Sequence, residues 1–527
     1  MPVTDAVVIG AGHNGLVAAN ILADAGWDVT VLEATGAPGG AVQSTEWVPG
    51  FVSDRCSAFY PLGASSPVLA ELGLDRYGLA WTHAPAVLAH VFPDDRCALL
   101  SRDPDTTAAS VAAFDAADGE AWLDETAHFD RVREALLETF LRPFPPLAGA
   151  RRIVSAMSPA ELLHFARLTV LPARRYATER YRGDGARMLV AGCALHTDLG
   201  PEQSGSAVFG WLLAMLGQTV GFPVPEGGAQ RITDALVARL AERGMYVQCG
   251  RPVDRILHAR GTAVGVRTGD GELIRARHAV LADVPAPLLY RELIGDDALP
   301  AGLRADLDRF AWDNATVKID WALTGPIPWT AADARTAGTV HLDADMNGLS
   351  TYATDLAQGR RPSVPFMLLG QMTTADATRS PAGTESVWAY THVPQSLAHD
   401  TDALRAHADA MQDLIERHAP GFSGLVKDRR VQLPGDLEAH DPSLRGGALN
   451  AGTAAIHQQL VFRPTPGLGR ADTWLDRLYL AGASAHPGGG VHGAPGANAA
   501  RAALARNGHL GGLYRRGIAG LQRRLIV

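Results

Sequence analysis

The chain has 527 residues, 47% hydrophobic and 20% charged, with a formal net charge of −9. That length exceeds one ordinary core and calls for two or three domains, and the acidic balance gives no general reason to bind nucleic acid. Four scattered cysteines (Cys56, Cys97, Cys193, Cys249) form no CxxC pair and no ligand spacing, so neither a dithiol redox motif nor a metal site is expected.

The opening MPVTD has no basic region before an apolar stretch, so no signal peptide is read there and a cytoplasmic protein is expected. Residues 5–34, DAVVIGAGHNGLVAANILADAGWDVTVLEA, read as strand, glycine turn, helix, strand and acid. Ala6–Ile9 is the apolar run of a parallel strand buried on both faces. Gly10, Gly12 and Gly15 form GxGxxG: one glycine for the tight turn, one for close approach of a pyrophosphate, one for helix–strand packing. The helix start offers free amides and a positive dipole end to phosphates. Val29–Leu32 is the second strand, and Glu33 ends it, where a carboxylate binds ribose hydroxyls. FAD and NAD both remain open at this point. Gly39 and Gly40, just past the acid, suit FAD, beside which the chain crosses an extended cofactor.

The longest uncharged stretch lies between Glu202 and Glu226, and its continuous apolar part, AVFGWLLAML, is too short to span a bilayer. Gly227 and Gly228 precede a helix with Ile232, Leu236 and Leu240 on one face, and Gly244 ends it. Tyr246–Gln248 and Val253–Leu257 read as strands. Val264–Val266 and Leu273–Arg277 flank a TGDG hairpin signal, and Ala279–Leu281 reads as a further buried strand. This block is either a separate α/β unit or the completion of the first sheet, with Val253 presenting its backbone to an adenine. In NATVKIDWAL, strand alternation puts Lys318 and Asp320 on one face and Val317, Ile319 and Trp321 on the other. Lys318 and Lys427 are the two lysines of the chain. Near the end, LYLAGASAHPGGGVHGAPGANAARAAL begins at Leu478 and sets a glycine cluster against an apolar strand.

The GxGxxG opening, the Gly39–Gly40 pair, PEGG before a helix and that terminal glycine cluster resemble the phytoene-desaturase-like branch of the amine-oxidase-type flavoproteins, which includes carotenoid desaturases, isomerases and ketolases. GGALNAGTAAIHQQLVFRP is similar to the ketolase-like members. The resemblance implies an α/β fold: a Rossmann-type FAD-binding domain built from discontinuous segments (1–70, 223–290 and 446–510), and a mixed α+β substrate domain (helical part 71–222, sheet part 291–445). Residues 511–527 form a basic amphipathic tail. It also implies that the last strand, Leu478–Ala481, rejoins the first sheet, that Gly482 and Ala483 pass the pyrophosphate and ribityl chain, and that Gly489, Gly490 and Val491 lie close to the isoalloxazine. A helix starting near Gly493 or Pro495 would then aim its N-terminus at the flavin. Two positions depart from the family pattern: Ala41 replaces a usual arginine after the glycine pair, and Ala483 replaces an acid.

For the chemistry, Lys318 is a candidate because amine-oxidase relatives place a lysine on a comparable strand near flavin N5; the alternative is a solvent-facing Lys–Asp pair worth little. His486 and His492 are candidate proton-transfer groups, with His457 and Arg55 weaker ones. With one dinucleotide fingerprint, reduction by substrate and reoxidation by oxygen, a quinone or another acceptor is expected. The substrate expected is a hydrophobic small molecule of carotenoid or isoprenoid type; the alternatives are an oxidase of an amine or other small natural product, and a flavin-binding isomerase or scaffold without net turnover. Residues 151–182 hold seven arginines against Glu161 and Glu179, interspersed with Leu162, Phe165, Leu168 and Leu171. The tail carries Tyr514, Ile518, Leu521 and Leu525 on one stripe beside paired arginines. Both segments are expected either to lie on a membrane surface or to dock on the protein itself.

Overall fold

A computed structural model describes residues 2–467 and 469–525. Two seven-stranded sheets organise it. In the first, β1 (Val3–Ile9) lies between β2 (Val29–Leu32) and the long strand Leu273–Ala282, parallel to both. Val247–Gln248 extends the sheet past β2, the antiparallel pair Val253–Ala259 and Thr262–Thr268 extends the other side, and Leu478–Leu480 pairs in parallel with residues 280–282. Ala6, Val7 and Val8 are fully buried, as a strand covered on both faces requires. One face packs on α1 (His13–Asp24) and on helix Gln230–Glu242, whose Ile232, Leu236 and Leu240 all enter the core. The other face packs on Leu289, Tyr290 and Leu293. Strands 247–282 thus complete the sheet begun at residue 3. One expectation changes: 273–277 and 279–281 are not two strands but one ten-residue strand, because residues 273–275 pair in the hairpin while β1 pairs along it from residue 275 to residue 282.

The second sheet runs in the order β7 (Val426–Gln432), β3 (Ala315–Leu323), β6 (Glu385–Val393), β5 (Met367–Gln371), β4 (Ala337–Leu342), then Ala86–Val91 and Cys97–Leu100. The last two strands come from a region read as helical. AVLAHV is buried at every position, so it has no polar–apolar alternation to betray a strand. The odd positions of β3 (Val317, Ile319, Trp321) meet Leu404, Met411 and Ile415 of helix Thr401–His418. The solvent-facing alternative for Lys318 and Asp320 is overturned, since each is 1% exposed. They are covered by hairpin 44–54, whose Ser53 hydroxyl donates to Asp320, and by Arg430 at 2.7 Å.

Helices cover the other side of this sheet. Those used below are α2 (Leu147–Ala156), α3 (Pro159–Leu168) and α4 (Ser206–Thr219), whereas α5 (Ala494–Asn507) packs on α1 beside the first sheet and is followed by α6 (Gly511–Leu525). α6 docks on the protein: Tyr514 Oη donates to both oxygens of Asp472 at 2.9 and 2.8 Å, and Arg515 lies 3.2 Å from Asp476. The side chain of Leu525 lies outside the described residues. Among the described residues no helix is long and apolar enough to cross a membrane.

Candidate functional site

The glycine turn after β1 is held by sterics. Gly10 has φ +90°, and a Cβ on Gly15 would stand 2.2 Å from the Gly10 carbonyl. Glu33, at the end of β2, accepts from Ala11 N (2.8 Å) and from Thr35 N and Oγ1 (2.8 Å each), which fixes its carboxylate beside the turn. Asp283 Oδ2 accepts from Gly15 N at 2.7 Å, at the positive end of α1. Burial pushes the Asp283 carboxyl up to about 7, with Asp441 and Glu33 adding to it. Gly39 N donates to Ala11 O at 2.9 Å, so the glycine pair crosses directly over the turn.

The far end of the chain arrives at the same place. His13, pushed down to about 4 by burial, is neutral and donates through Nε2 to Gly490 O at 3.2 Å. α5 crosses α1 so closely that a Cβ on Gly496 would lie 1.9 Å from Asn14 O. Residues 449–453 are clamped beneath: Asp313 accepts from Asn450 N (2.7 Å) and Gly452 N (3.0 Å). Arg463, 1% exposed, donates to the carbonyls of Asn450, Gly452, Thr453 and Ala483. This sets Asn450 against Gly489, where a Cβ would come within 2.3 Å of Oδ1.

From this glycine floor opens a cavity of about 290 Å³. Ala41, Ala483, Gly489, Gly490 and Val491 line one side. Phe209, Leu212, Leu213 and Leu216 of α4, with Phe222, form an apolar wall. The opposite wall is one face of the second sheet. Directly paired residues across neighbouring strands share a face, and the pairings Thr339–Gly370–Trp388 and His341–Leu368–Tyr390 put Thr339, Leu368, Trp388 and Tyr390 on it. His392, two residues on, follows. His392 Nε2 lies 2.7 Å from Asp198 Oδ1. Burial lowers its pKa and the Asp198 charge and hydrogen bond raise it; the net direction is up. Asp198 itself has φ +64°, and its Oδ2 is held by Asn314 N at 2.9 Å.

The expected residues therefore divide. Gly10, Gly12, Gly15, Glu33, Gly39, Gly40, Gly482, Ala483, Gly489, Gly490 and Val491 gather around the turn and the cavity floor. Val253 is half-buried on the same sheet, past the long strand. Lys318 lies on the cavity face of β3, opposite Tyr390, with Nζ 2.5 Å from Asp320 Oδ1 and 3.1 Å from Gln432 Oε1. Burial drives its pKa down against the pull of Asp320. Arg55 is half-buried and, after burial itself, holds down the pKa of His440, whose Nε2 reaches Gly40 O. His486 and His492 do not line the cavity. His486 Nε2 donates to Arg142 O at 3.0 Å, and its pKa is pushed down to about 4 by burial. His492, pushed down to about 3 by burial, caps α5 by accepting from Ala494 N at 3.1 Å. His457 is exposed. Sequence reasoning missed His196, Thr339, Trp388, Tyr390 and His392. The period-two stripe Trp388–Tyr390–His392 was the one local signal.

The glycine cradle, the ribose-type acid and the free helix end fit FAD: where a side chain would block the path, glycine stands, and the carboxylate sits at the end of β2. The fold and this site define an FAD-dependent oxidoreductase. The sequence pattern of the flavin containing amine oxidoreductases matches residues 15–316, and the chain belongs to that family. It is 28% identical to the mouse (Mus musculus) pyridine nucleotide-disulfide oxidoreductase domain-containing protein 2, over 95% of this chain and 93% of that one. It is also 28% identical to the hydroxyneurosporene desaturase of Cereibacter sphaeroides, over 95% and 97%. The structure of a putrescine oxidase bound to putrescine superposes with a TM-score of 0.61 at 15% identity, covering 95% and 98%, which reflects the shared fold.

Proposed function

We propose that the chain dehydrogenates, oxidises or isomerises a hydrophobic substrate of isoprenoid or carotenoid type, as a member of the phytoene-desaturase-like branch. The observation that carries this is the apolar cavity opening directly on Gly489–Val491: its walls are leucine and aromatic side chains, and among its described lining residues none is Asp or Glu. An ammonium substrate would meet no carboxylate there, which speaks against the amine reading. The 28% identity to a hydroxyneurosporene desaturase supports the same class. Drug-sized ligands fill roughly 300–1,000 Å³, so this space takes one compact molecule or the end of a longer one.

When bound, FAD supplies the acceptor for a hydride from a substrate carbon, while the neighbouring carbon loses a proton. The α4 leucines, Phe209 and Phe222 exclude water from the reacting carbons. Glu33 and the turn at Gly10–Gly15 hold the nucleotide end, and the clamp of Asp313 and Arg463 fixes the floor under the reacting ring. Lys318 holds a buried positive charge on the cavity side of β3, suited to help the transfer of electrons onward to oxygen or a quinone. Contact with a membrane surface, from which such a substrate would come, is part of this reading.

Anaerobic mixing of the FAD-loaded protein tests it. Bleaching of the flavin absorbance by a polyene or isoprenoid is expected. Bleaching by primary amines, with none by isoprenoids, would overturn the reading.

A further inference from the structure

The sheet-side wall of the cavity is apolar except for a few polar atoms, and several of these lack partners. Thr339 is 2% exposed, lines the cavity, and its Oγ1 has no hydrogen-bonding partner among the described residues. Trp388, 5% exposed and also lining, leaves its indole Nε1 unpaired. Buried polar groups are almost always paired, and an unpaired one costs as much as a lost hydrogen bond. Two such atoms on the wall of one cavity point to a partner arriving with the ligand.

His196 settles what that partner is. Its Nε2 lies 2.9 Å from His341 Nε2, so one of the two nitrogens carries a proton and the other accepts it. His196 and His341 are both neutral: burial, with the nearby His392, holds His196 down to about 3, and burial with the neighbouring His196 and His90 holds His341 well below its usual range. His341 Nδ1 is buried without a partner and faces Gly192 of the helix Asp184–Ala194. A proton there would be a buried donor without a partner, which costs as much as a lost hydrogen bond. The proton of His341 therefore sits on Nε2 and is donated to His196 Nε2. The single proton of neutral His196 is left on Nδ1, which has no partner among the described residues, and His196 lines the cavity. Thr339 and His341 are two residues apart on the same face of β4, so His196 Nδ1–H and the Thr339 hydroxyl belong to the same part of the wall.

We propose that the substrate is an oxygenated hydrophobic molecule, its carbonyl or hydroxyl oxygen received by His196 Nδ1–H and Thr339 Oγ1–H, rather than a pure hydrocarbon. This rests on the hydrophobic-substrate reading and narrows it. A hydrocarbon in the same place would leave these donors, and the Trp388 indole, dry and unpaired. An oxygen acceptor, with two lone pairs, satisfies His196 and Thr339, and a protonated amine, which only donates, does not.

The test uses the FAD-loaded protein and three matched fifteen-carbon probes: farnesene, farnesol and farnesal. Their dissociation constants are read from the perturbation of the flavin absorbance under anaerobic conditions. The oxygenated probes are expected to bind roughly tenfold or more tightly than farnesene. In Thr339→Val, which removes one hydroxyl at constant shape, and in His196→Phe, this preference collapses while farnesene binding and the flavin spectrum are retained. Equal affinity for the three probes in the wild-type protein, or a preference that survives both substitutions, overturns the proposal but leaves the hydrophobic-substrate reading standing. No response to any of the three, with a response to a primary amine, overturns both.

Discussion

Lys318 shows how a buried charge is kept. Its ammonium is held by Asp320 and Gln432, and Asp320 is held in turn by Ser53 and Arg430. Removing one partner of a buried pair costs about 3–5 kcal/mol. Lys318→Met belongs at the lower end, because Asp320 keeps Arg430. Its kinetic effect is expected to fall on flavin reoxidation, slowed roughly tenfold, or about 1.4 kcal/mol of barrier, with reduction by substrate little changed. Stopped-flow traces of the two half-reactions check this; equal slowing of both would make the lysine a packing residue. Asp283 presents the opposite problem, an acid at a phosphate-binding turn. Its pKa rises from 3.8 in the unfolded chain to about 7 in the folded one, so between those values the native state holds a proton that the unfolded state has released. Stability contributed by this group therefore falls as pH rises from about 4 to about 7 and stays level above. Asp283→Asn keeps an acceptor for Gly15 N and cannot ionise. Its advantage in melting temperature over the wild type is expected to grow from pH 5 to pH 8, toward a limit of about 4 kcal/mol for roughly three pH units. A constant difference across that range would mean that the carboxyl titrates normally.

At the scale of elements, what was readable in the sequence had local causes. GxGxxG, the acid at position 33 and the helix face of Ile232, Leu236 and Leu240 each carry their meaning within a few residues, and each stands where its spacing placed it. The strand 315–323 was equally readable, but the environment of its Lys–Asp face was not, because the covering hairpin 44–54 lies more than two hundred residues away in the chain. The same reason hid the polar end of the cavity. His196, Thr339 and His392 come together through the register of four strands and a helix end, and nothing near any of them in sequence signals the others. Conversely, the prominent histidines of the glycine-rich segment stand outside the cavity lining, one bonded to a carbonyl and one accepting from the first turn of a helix. Glycine at 496 belongs to this scale as well. It permits the crossing of α1 and α5 that joins the two ends of the chain at the nucleotide site. In Gly496→Ala the new methyl would meet Asn14 backbone, which has no flexible end to move aside. Overpacking of a tight core costs about 1–3 kcal/mol, and a lowered melting temperature with weakened FAD retention is expected; an unchanged protein would show that the helices can slide apart freely.

For the whole molecule, the question is how an apolar ligand reaches the cavity. α4 supplies the cavity wall on its inner side, and on its outer side Trp211 packs on Phe165 of α3 with ring centroids 6.4 Å apart. The surface beyond is unusually apolar: Leu147, Val154, Leu163 and Val170 are 76, 60, 73 and 51% exposed. Ile456, Leu460 and Phe462 stand exposed as well, and Ile456 borders Gly205 at the start of α4. The arginines of this region are largely spoken for, with Arg152 on Glu138, Arg167 and Arg175 on Glu179, Arg174 on Glu202 and Arg180 on Glu125. The contact proposed with a membrane therefore rests on apolar insertion more than on attraction of arginine to anionic lipid. The two mechanisms differ in salt dependence, since exposed charges are screened over roughly 3 Å at 1 M salt and apolar burial is not weakened. Binding to neutral phosphatidylcholine vesicles is expected to persist in high salt. A fully buried valine or leucine side chain is worth about 1.5–3 kcal/mol, so Val154→Glu combined with Leu163→Glu is expected to lower vesicle partitioning by roughly tenfold or more with the flavin spectrum unchanged. Sedimentation with vesicles measures this. Binding that needs anionic lipid and disappears in salt would return the contact to the arginines, and no binding under either condition would leave these helices as a face for another protein surface.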